Sequence, residues 1–303
     1  MKILITGSQG FIGKSLALFA IQNGHEVLGI TRKKTECFHP KFNIQQCSLD
    51  NDDLVILINN YKPDMIYHGA GTASVGYSFQ QPREDFKNAV NTWSAVLEAV
   101  RKSDLTPLIM FPSSASVYGN PNKLPVQENS LLNPISPYGF HKVISEQLAQ
   151  EYCECFDFNI VITRLFSTFG PIQQRLLIWE LFQQTIKSKK NELIIQGTGD
   201  ETRDFIYIDD ISHLTLKLME ARPKGFLPIN VASGQSTSVR EIAEIIIELT
   251  GSKKSIQTLN RNLLGDPKKW QADINLLNKL VSYQPIPLRQ RMETCIQKWM
   301  RHN

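Results

Sequence analysis

The sequence predicts an α/β fold built on a doubly wound, mostly parallel sheet. Two observations support this prediction. Short apolar and β-branched runs alternate with helical patterns through much of the 303-residue chain, as they do in parallel sheets that helices cover on both faces. A glycine-rich turn also joins the first strand to the first helix, at the edge where such sheets bind their ligands.

The first elements surround this turn. Residues 2–6, Lys-Ile-Leu-Ile-Thr, predict a buried strand, a helical pattern runs from Lys14 to Asn23, and a second strand is predicted from Glu26 to Ile30. Glycines permit a tight turn and close backbone approach, and a helix N-terminus offers free N–H groups to a pyrophosphate. The turn in this context therefore predicts dinucleotide binding. The residues predicted to bind the dinucleotide here are Gly7, Gly10, Phe11, Ile12 and Gly13.

The end of the second strand indicates which dinucleotide is bound. An Asp or Glu is expected there for NAD, because a carboxylate accepts both ribose hydroxyls and repels a 2′-phosphate. This sequence has Thr31 and Arg32, followed by Lys33 and Lys34, and a hydroxyl with cations suits the 2′-phosphate of NADP. NADP is the predicted cofactor, NAD is the other candidate, and a solvated basic turn is the alternative interpretation. Asp50 is predicted to meet the adenine edge.

The α/β alternation continues along the chain. Further helices are predicted at residues 52–61 and 85–101, and further strands at 63–68, 107–112 and 159–164. Small residues around Ala70 would let a cofactor lie across one strand end, and Ser113 and Ser114 are placed just beyond another. Neither His68 nor His141 is assigned a role, because a lone histidine at such a place is more often structural than catalytic.

A helix predicted from Tyr138 to Cys155 carries the strongest catalytic signal. Tyr138 and Lys142 are four positions apart and share one face of its first turn. An ammonium group beside a phenol favours the phenolate, so Tyr138 would exchange a proton with a sugar hydroxyl while Ser114 holds the oxygen. The alternative is an amphipathic helix whose lysine reaches out to solvent.

Composition argues against several other functions. The net charge is +4, and the basic runs are scattered without interleaved aromatic residues, so nucleic acid is not an expected partner. The five cysteines form no CxxC or Cys/His ligand pattern, which predicts reduced thiols and no metal site. The glycine turn interrupts the first apolar stretch before a signal peptide or membrane span is reached. We therefore expect a cytoplasmic protein.

The chain beyond Pro171 contains a second group of elements. Strands are predicted at residues 192–196 and 227–232, the latter returning to the main sheet, and helices at 238–249 and 288–301. Arg203 follows the turn at residues 197–200 and is suited to bidentate binding of a diphosphate. A structural ion pair with Asp204 or Asp209 is the alternative.

Six motifs follow one another along the chain: Gly7-x-x-Gly10-x-x-Gly13, His68-x-Ala70-Gly71, Ser113-Ser-Ala-Ser-Val-Tyr-Gly119, Pro137-Tyr138-x-x-x-Lys142, Arg164-Leu-Phe-x-x-Phe-Gly-Pro171 and Arg203-Asp-Phe-Ile-Tyr-Ile-Asp-Asp210. In this order they resemble the motifs of the extended short-chain dehydrogenase/reductases, and among them the NAD-dependent epimerase/dehydratase family typified by UDP-glucose 4-epimerase.

The resemblance implies a Rossmann-type NAD(P)-binding domain, a smaller C-terminal domain that binds a nucleoside-diphosphate sugar, and a homodimer. It divides the chain into residues 1–166 with 204–232 and residues 167–203 with 233–303. It also implies a catalytic set of Ser114, Tyr138 and Lys142, the last two of which contact the cofactor. Asn88 would support the cofactor. Ser114, Ser167, Arg203 and Asp266 would contact the substrate.

Departures from the family pattern narrow the expected activity. Ser167 replaces the Asn and Leu165 the Tyr of the usual Arg-Tyr-Phe-Asn motif, and Leu263 stands where an Arg is expected. The family's dehydratases carry Asp-Glu after the catalytic Thr, whereas Ala115 and Ser116 follow Ser114 here, which disfavours a 4,6-dehydratase. We expect a nucleotide-sugar epimerase acting by hydride transfer at sugar C4. An NADPH-dependent 4-keto-6-deoxy nucleotide-sugar reductase is the alternative, and a non-catalytic NADP-binding sensor is less favoured.

Overall fold

The computed structural model describes residues 1–32, 35–49, 52–261 and 264–301. Its strands are β1 (Lys2–Thr6), β2 (Glu26–Thr31), β3 (Asn43–Gln46), β4 (Met65–His68), β5 (Leu108–Ser114), β6 (Ile160–Leu165), β7 (Ser167–Phe169), β8 (Glu192–Ile195), β9 (Thr202–Tyr207), β10 (Phe226–Val231), β11 (Ser236–Ser238) and β12 (Ser255–Thr258). Its α-helices are α1 (Phe11–Gln22), α2 (Asp53–Tyr61), α3 (Val75–Gln80), α4 (Pro82–Phe86), α5 (Thr92–Arg101), α6 (Pro137–Phe156), α7 (Leu176–Lys187), α8 (Ile208–Ala221), α9 (Val239–Thr250), α10 (Asn275–Val281) and α11 (Leu288–Arg301). A π-helical segment, Lys87–Asn91, joins α4 to α5, and a 3-10 turn, Ala115–Val117, follows β5.

A parallel sheet forms the centre of the molecule. Within the described ranges it has seven strands in the order β3-β2-β1-β4-β5-β6-β10. The chain runs outward from β1 in one direction and then restarts at β4 in the other, which creates a crevice at the carboxyl ends of these two strands. The doubly wound, Rossmann-type sheet predicted from the sequence is confirmed.

Helices cover both faces of this sheet and exclude water from its strands. On one face α1 and α8 pack through residues such as Leu16 and Leu214, and on the other α2, α5 and α6 pack through residues such as Leu54 and Trp93. All of these side chains are at most 1% exposed. Burying a large apolar side chain contributes about 1.5–3 kcal/mol, so the two layers hold the strand ends in fixed positions.

The second lobe contains smaller sheets, β11-β9-β7 and β12-β8. Its core includes Phe182, Ile242 and Trp299, from α7, α9 and α11. The strand β9, which carries Arg203, belongs to this lobe's sheet, and the next element, α8, returns to the main sheet. Two lobes therefore meet beside the carboxyl ends of the parallel strands.

Several boundaries differ from the sequence-based prediction. The first helix begins at Phe11, immediately after the glycine turn, instead of at Lys14. The helix predicted at residues 85–101 is helical throughout, but it begins earlier, at Pro82, and its α-helical hydrogen-bond pattern changes to a π-helical one over Lys87–Asn91. Ser113 and Ser114 are the last residues of β5 and do not lie beyond it. Among the described residues, no helix is both long and apolar enough to cross a membrane.

Candidate active site

The glycine turn after β1 is packed tightly against the end of β4. Gly7 has φ +65°, and a Cβ atom there would lie 2.4 Å from the carbonyl carbon of Gly69. At Gly13 a Cβ would lie 2.5 Å from the Gly7 oxygen. Gly10 differs, because its φ is −72° and its Cβ would approach the Gly7 oxygen at 3.1 Å. Backbone packing within the turn therefore requires glycine at positions 7 and 13. At Gly10 the Gly7 oxygen is the one atom that a Cβ would approach, so the remaining space there is open to a ligand.

The N-terminus of α1 has the properties of an anion site. Gly10 is its N-cap and provides no side-chain hydrogen bond, and the first turn contains no acidic residue. The side chains of Phe11 and Ile12 pack against the hydrophobic cores, so the backbone N–H groups are what the turn can offer. Uncapped N–H groups with the helix dipole favour a phosphate. The uncapped helix end and the glycine cradle fit the pyrophosphate of a dinucleotide.

The end of β2 lies beside the π-helical segment. Arg32 is exposed, and its Nη1 donates to Oδ1 of Asn88 at 3.4 Å. Nδ2 of Asn88 donates to the Glu84 carbonyl at 2.7 Å. The structure therefore brings together Arg32 and Asn88, two residues predicted to bind the cofactor. The predicted contact at Asp50, together with Lys33 and Lys34, lies outside the described residues.

Ser114 and Tyr138 meet where β5 ends and α6 begins. Oγ of Ser114 caps the 3-10 turn by accepting from the Ser116 N–H at 3.2 Å. Pro137 opens α6, and Ser136 caps it by accepting from the Gly139 N–H at 3.1 Å. These local caps fix Tyr138 in the first turn, where its phenol is close enough to the Ser114 hydroxyl for that hydroxyl to lower its pKa.

Lys142 lies one turn further along α6 and is almost fully buried. Its Nζ donates to the Pro112 carbonyl at 2.7 Å and lies 5.8 Å from the centroid of the Tyr138 ring. The structure therefore brings the predicted set of Ser114, Tyr138 and Lys142 to one place at the carboxyl edge of the sheet.

Burial changes the proton affinity of both titrating side chains. It raises the pKa of Tyr138 to about 12, contrary to the lowering expected from Lys142, and the Ser114 hydroxyl and the charge of Arg175 oppose this rise. Burial also lowers the pKa of Lys142 to about 8, while Glu146 and Asp85 raise it. Arg175, at the N-cap of α7, was not found from the sequence because no local motif relates it to Tyr138.

A buried polar network lies behind this site. Ser113 donates to Glu146 at 2.5 Å, and Glu146 pairs with Nη2 of Arg164 at 2.7 Å. Arg164 also donates to the Tyr118 hydroxyl at 2.8 Å, and that hydroxyl donates to Asn230 at 2.7 Å. The network connects α6 with β5, β6 and β10, and sequence reasoning did not assign it.

The two histidines have buried partners. Nδ1 of His68 lies 2.9 Å from Oγ1 of Thr6, and burial lowers the pKa of His68 to about 3, so its ring is neutral near pH 7. Nδ1 of His141 lies 2.5 Å from Oδ2 of Asp85.

Arg203 and Asp266 are joined across the second lobe. Nη2 of Arg203 lies 2.6 Å from Oδ1 of Asp266, and Arg203 is 7% exposed. The alternative partner Asp204 instead accepts from the Ser233 hydroxyl at 2.7 Å, and burial raises its pKa to about 6. Ser167 lies in β7, opposite Phe205 of the strand that carries Arg203.

The fold and the site define a class of protein. A parallel sheet in this order, a glycine turn at its first strand, and Ser, Tyr and Lys side chains at its carboxyl edge are the arrangement of an extended short-chain dehydrogenase/reductase. The family match and the similar proteins confirm the prediction of an enzyme of this type.

The chain belongs to the NAD dependent epimerase/dehydratase family, whose model matches residues 3–232. An uncharacterised UDP-glucose epimerase of Bacillus subtilis is 30% identical over 302 residues, covering 94% of this chain and 93% of that protein. UDP-glucose 4-epimerase of Mycolicibacterium smegmatis is 27% identical over 296 residues, covering 94% of each chain. The crystal structure of Bacillus cereus UDP-glucuronic acid 4-epimerase with UDP-glucuronic acid and NAD has a TM-score of 0.90 at 28% identity, covering 100% of both chains.

Proposed function

We propose that the protein is a UDP-sugar 4-epimerase that acts by reversible hydride transfer at sugar C4. The observation that carries the proposal is the convergence of Ser114, Tyr138 and Lys142 at the carboxyl edge of the sheet, in a chain of the epimerase/dehydratase family. Relatives named as UDP-sugar 4-epimerases match almost the whole chain and support this choice over the alternative reductase.

The protein's own residues move and hold the proton. Tyr138 removes the proton from the C4 hydroxyl, and the nearby Ser114 hydroxyl binds the oxygen of the resulting ketone. The Lys142 ammonium stabilises the phenolate electrostatically. A bound nicotinamide dinucleotide supplies the hydride acceptor and donor for this chemistry. Tyr138 returns the proton after the keto-sugar has presented its other face.

Residues 167–203 with 233–303 are proposed to bind the nucleotide sugar, and residues 1–166 with 204–232 the dinucleotide. Arg203 is suited to the substrate diphosphate because its guanidinium is held by Asp266 and can still offer further N–H donors. Asp266 itself is a candidate acceptor for substrate hydroxyls, since its side chain is 43% exposed. Ser167 is proposed to contact the substrate from β7.

NADP is proposed as the preferred cofactor. Thr31 and Arg32 provide a hydroxyl and a guanidinium at the end of β2, where a carboxylate would exclude the 2′-phosphate. A hydrogen bond holds Arg32 beside Asn88, the other residue proposed to support the cofactor there. The Bacillus cereus enzyme was crystallised with NAD, so the choice between the two dinucleotides is a direct test of Arg32.

A homodimer is proposed through one face of α6. Phe140 and Ile144 are one turn apart on this helix and are 54% and 38% exposed, and Phe86 of α4 is 36% exposed. Apolar side chains grouped in this way favour a protein contact. Sedimentation of wild type and Phe140→Glu tests the proposal, since the substitution should yield monomers. If Phe140→Glu sediments with the same mass as a dimeric wild type, Phe140 does not lie in the dimer interface.

The proposed reaction is tested with freshly purified protein. The retained nucleotide is identified, and UDP-, GDP-, CDP- and dTDP-sugars are then offered without added cofactor, with Tyr138→Phe as the matched inactive control. Inversion at C4 of a UDP-sugar, detected by NMR, is the expected result. Turnover that consumes a 4-keto sugar and stoichiometric NADPH would identify the reductase instead. Nucleotide binding with no turnover of any sugar would favour the sensor.

A further inference from the structure

The strand segment that carries Ser114 is held from its buried side by two residues of α6. Nζ of Lys142 donates to the Pro112 carbonyl at 2.7 Å. One turn further along the helix, Oε1 of Glu146 accepts from the Ser113 hydroxyl at 2.5 Å. The two residues that precede Ser114 in β5 are therefore each attached to α6 by a side-chain hydrogen bond.

The Glu146 carboxylate is itself fixed by an ion pair. Glu146 is 3% exposed and Arg164 is 4% exposed, and Nη2 of Arg164 lies 2.7 Å from Oε2 of Glu146. Nε of Arg164 lies 3.2 Å from each carboxylate oxygen. Charge-assisted bonds of an arginine to both oxygens fix the relative geometry of the two partners. Glu146 therefore offers Ser113 an acceptor whose position is set by the packing of α6 against β6.

Arg164 also holds the other end of the Ser114 segment. It is the register partner of Ser113 on the neighbouring strand, and its Nη1 donates to the Tyr118 hydroxyl at 2.8 Å. That hydroxyl donates to Oδ1 of Asn230, in β10, at 2.7 Å. The chain is thus held at Ser113 and again at Tyr118, and Ser114 lies between these two points.

The hydroxyl of Ser113 is not explained by packing. The preceding residues of β5, 108–111, are buried and apolar, whereas Ser113 is 2% exposed and polar. A buried hydroxyl adds little packing and is costly unless it is hydrogen-bonded. Its bond to Glu146 is made directly before Ser114, the residue proposed to bind the substrate oxygen. This position indicates a role in placing Ser114.

We propose that Ser113, held by the ion pair of Glu146 and Arg164, is a positioning residue that keeps the Ser114 hydroxyl in place to bind the sugar C4 oxygen. The inference rests on the proposed function for the role of Ser114. A misplacement of about 1 Å in an active site can cost about 10²-fold in rate. Loss of the Ser113 hydroxyl should therefore lower kcat and leave the KM for the nucleotide sugar nearly unchanged.

A double-mutant cycle tests the proposal with Ser113→Ala, Ser114→Ala and the double variant. The matched control is Ser145→Ala, because Ser145 is a buried serine of α6 whose hydroxyl donates to a carbonyl of its own helix. Ser113→Ala is preferred to a Glu146 variant, since removal of that carboxylate would leave the Arg164 guanidinium buried without a counter-charge.

We expect Ser113→Ala to lower kcat by about 10- to 100-fold and Ser145→Ala to leave it within about twofold. In the Ser114→Ala background, Ser113→Ala should cost at most about twofold more, because a residue that acts through another has no separate effect once the other is removed. In an enzyme that epimerises a UDP-sugar, an equal loss in both backgrounds would mean that Ser113 is merely structural. That result, or an unchanged kcat in Ser113→Ala, would overturn this proposal and leave the proposed function standing.

A second measurement does not depend on turnover. The Ser116 N–H donates to Oγ of Ser114 at 3.2 Å, so the hydrogen exchange of this amide reports on the position of that hydroxyl. Exchange is followed by ¹⁵N NMR on serine-labelled protein without substrate, with Ser116→Ala for assignment.

The Ser116 amide should exchange faster in Ser113→Ala than in wild type, toward the rate in Ser114→Ala. Faster exchange in a protein that epimerises no sugar supports this proposal and refutes the proposed function. An unchanged exchange rate in such a protein refutes both. In an active enzyme the double-mutant cycle decides.

Discussion

The glycine turn permits a sharp test, because two of its glycines are required for different reasons. We compare Gly10→Ala with Gly13→Ala. At Gly10 the backbone is extended, with φ −72° and ψ 169°, and a Cβ meets one atom at 3.1 Å. At Gly13 a Cβ would lie 2.5 Å from the Gly7 oxygen and 3.0 Å from the Ser8 Cα. In the protein without bound nucleotide, an alanine side chain is therefore accommodated at position 10, whereas at position 13 it overlaps backbone atoms.

The expected changes in stability follow from these distances. Gly10→Ala should lower the free energy of unfolding by at most about 1 kcal/mol, the scale of an N-cap substitution. Gly13→Ala should lower it by about 1–3 kcal/mol or more, because backbone atoms must shift to relieve the overlap. For a chain of this size each kcal/mol corresponds to about 2–4 °C in Tm.

For dinucleotide affinity we expect the reverse order, with the larger loss attributable to direct contact in Gly10→Ala. A methyl group at Gly10 lies on the open side of the turn, where the pyrophosphate must approach the first N–H groups of α1. Loss of one hydrogen bond to a charged phosphate costs about 1.5–3 kcal/mol, which corresponds to a Kd raised by about 10- to 150-fold. Gly10→Ala should therefore bind the dinucleotide weakly while remaining folded.

Thermal unfolding without nucleotide measures the stability of each variant, and calorimetric titration with NAD and NADP measures its dinucleotide Kd. Wild-type affinity in Gly10→Ala would show that the pyrophosphate does not bind at this turn. A fall in Tm as large for Gly10→Ala as for Gly13→Ala would show that the backbone geometry described for Gly10 is incorrect.

Three further predictions concern the site. Tyr138→Phe should retain dinucleotide binding and lose turnover by about 10²–10⁴-fold, and full-rate hydride transfer in this variant would refute the role of Tyr138. Wild type should bind NADP at least about tenfold more tightly than NAD, and Arg32→Ala should abolish this preference in calorimetry. Equal affinities of the wild type for NAD and NADP would show that Arg32 does not bind the 2′-phosphate. Arg203→Lys should raise the KM for the UDP-sugar by about tenfold with little change in kcat. An unchanged KM in Arg203→Lys would show that Arg203 does not bind the substrate diphosphate.

Local sequence patterns predicted much of the fold. The final helix, Leu288–Arg301, was predicted with the bounds that the structure has, because its apolar residues Met292, Cys295, Ile296 and Trp299 repeat with helical spacing. Residues 2–6 and the strand from Glu26 were predicted for a similar reason, since buried parallel strands are continuous apolar runs. Pro137 marked the start of α6 and so the position of Tyr138.

The missed elements lack such local signals. The π-helical segment at Lys87–Asn91 differs from an α-helix by one inserted residue, which hydrophobic periodicity over a window does not resolve. The strands β7 and β11 have three residues each, too few for an alternating pattern to be recognised. The helix α8 was not assigned, although it packs against α1 and completes one face of the sheet.

The sequence by itself determined the Rossmann-type sheet, and it singled out the glycine turn and the residues Ser114, Tyr138 and Lys142, whose roles in binding and catalysis stay predictions. These features depend on spacing within a few residues and on motifs in a fixed order. The tertiary structure alone decided the partners of the buried charges. Asp85 meets His141 across 56 positions of the chain, and Arg203 meets Asp266 across 63. Such pairs are set by the packing of distant elements, and burial makes each charge depend on the particular partner that packing supplies.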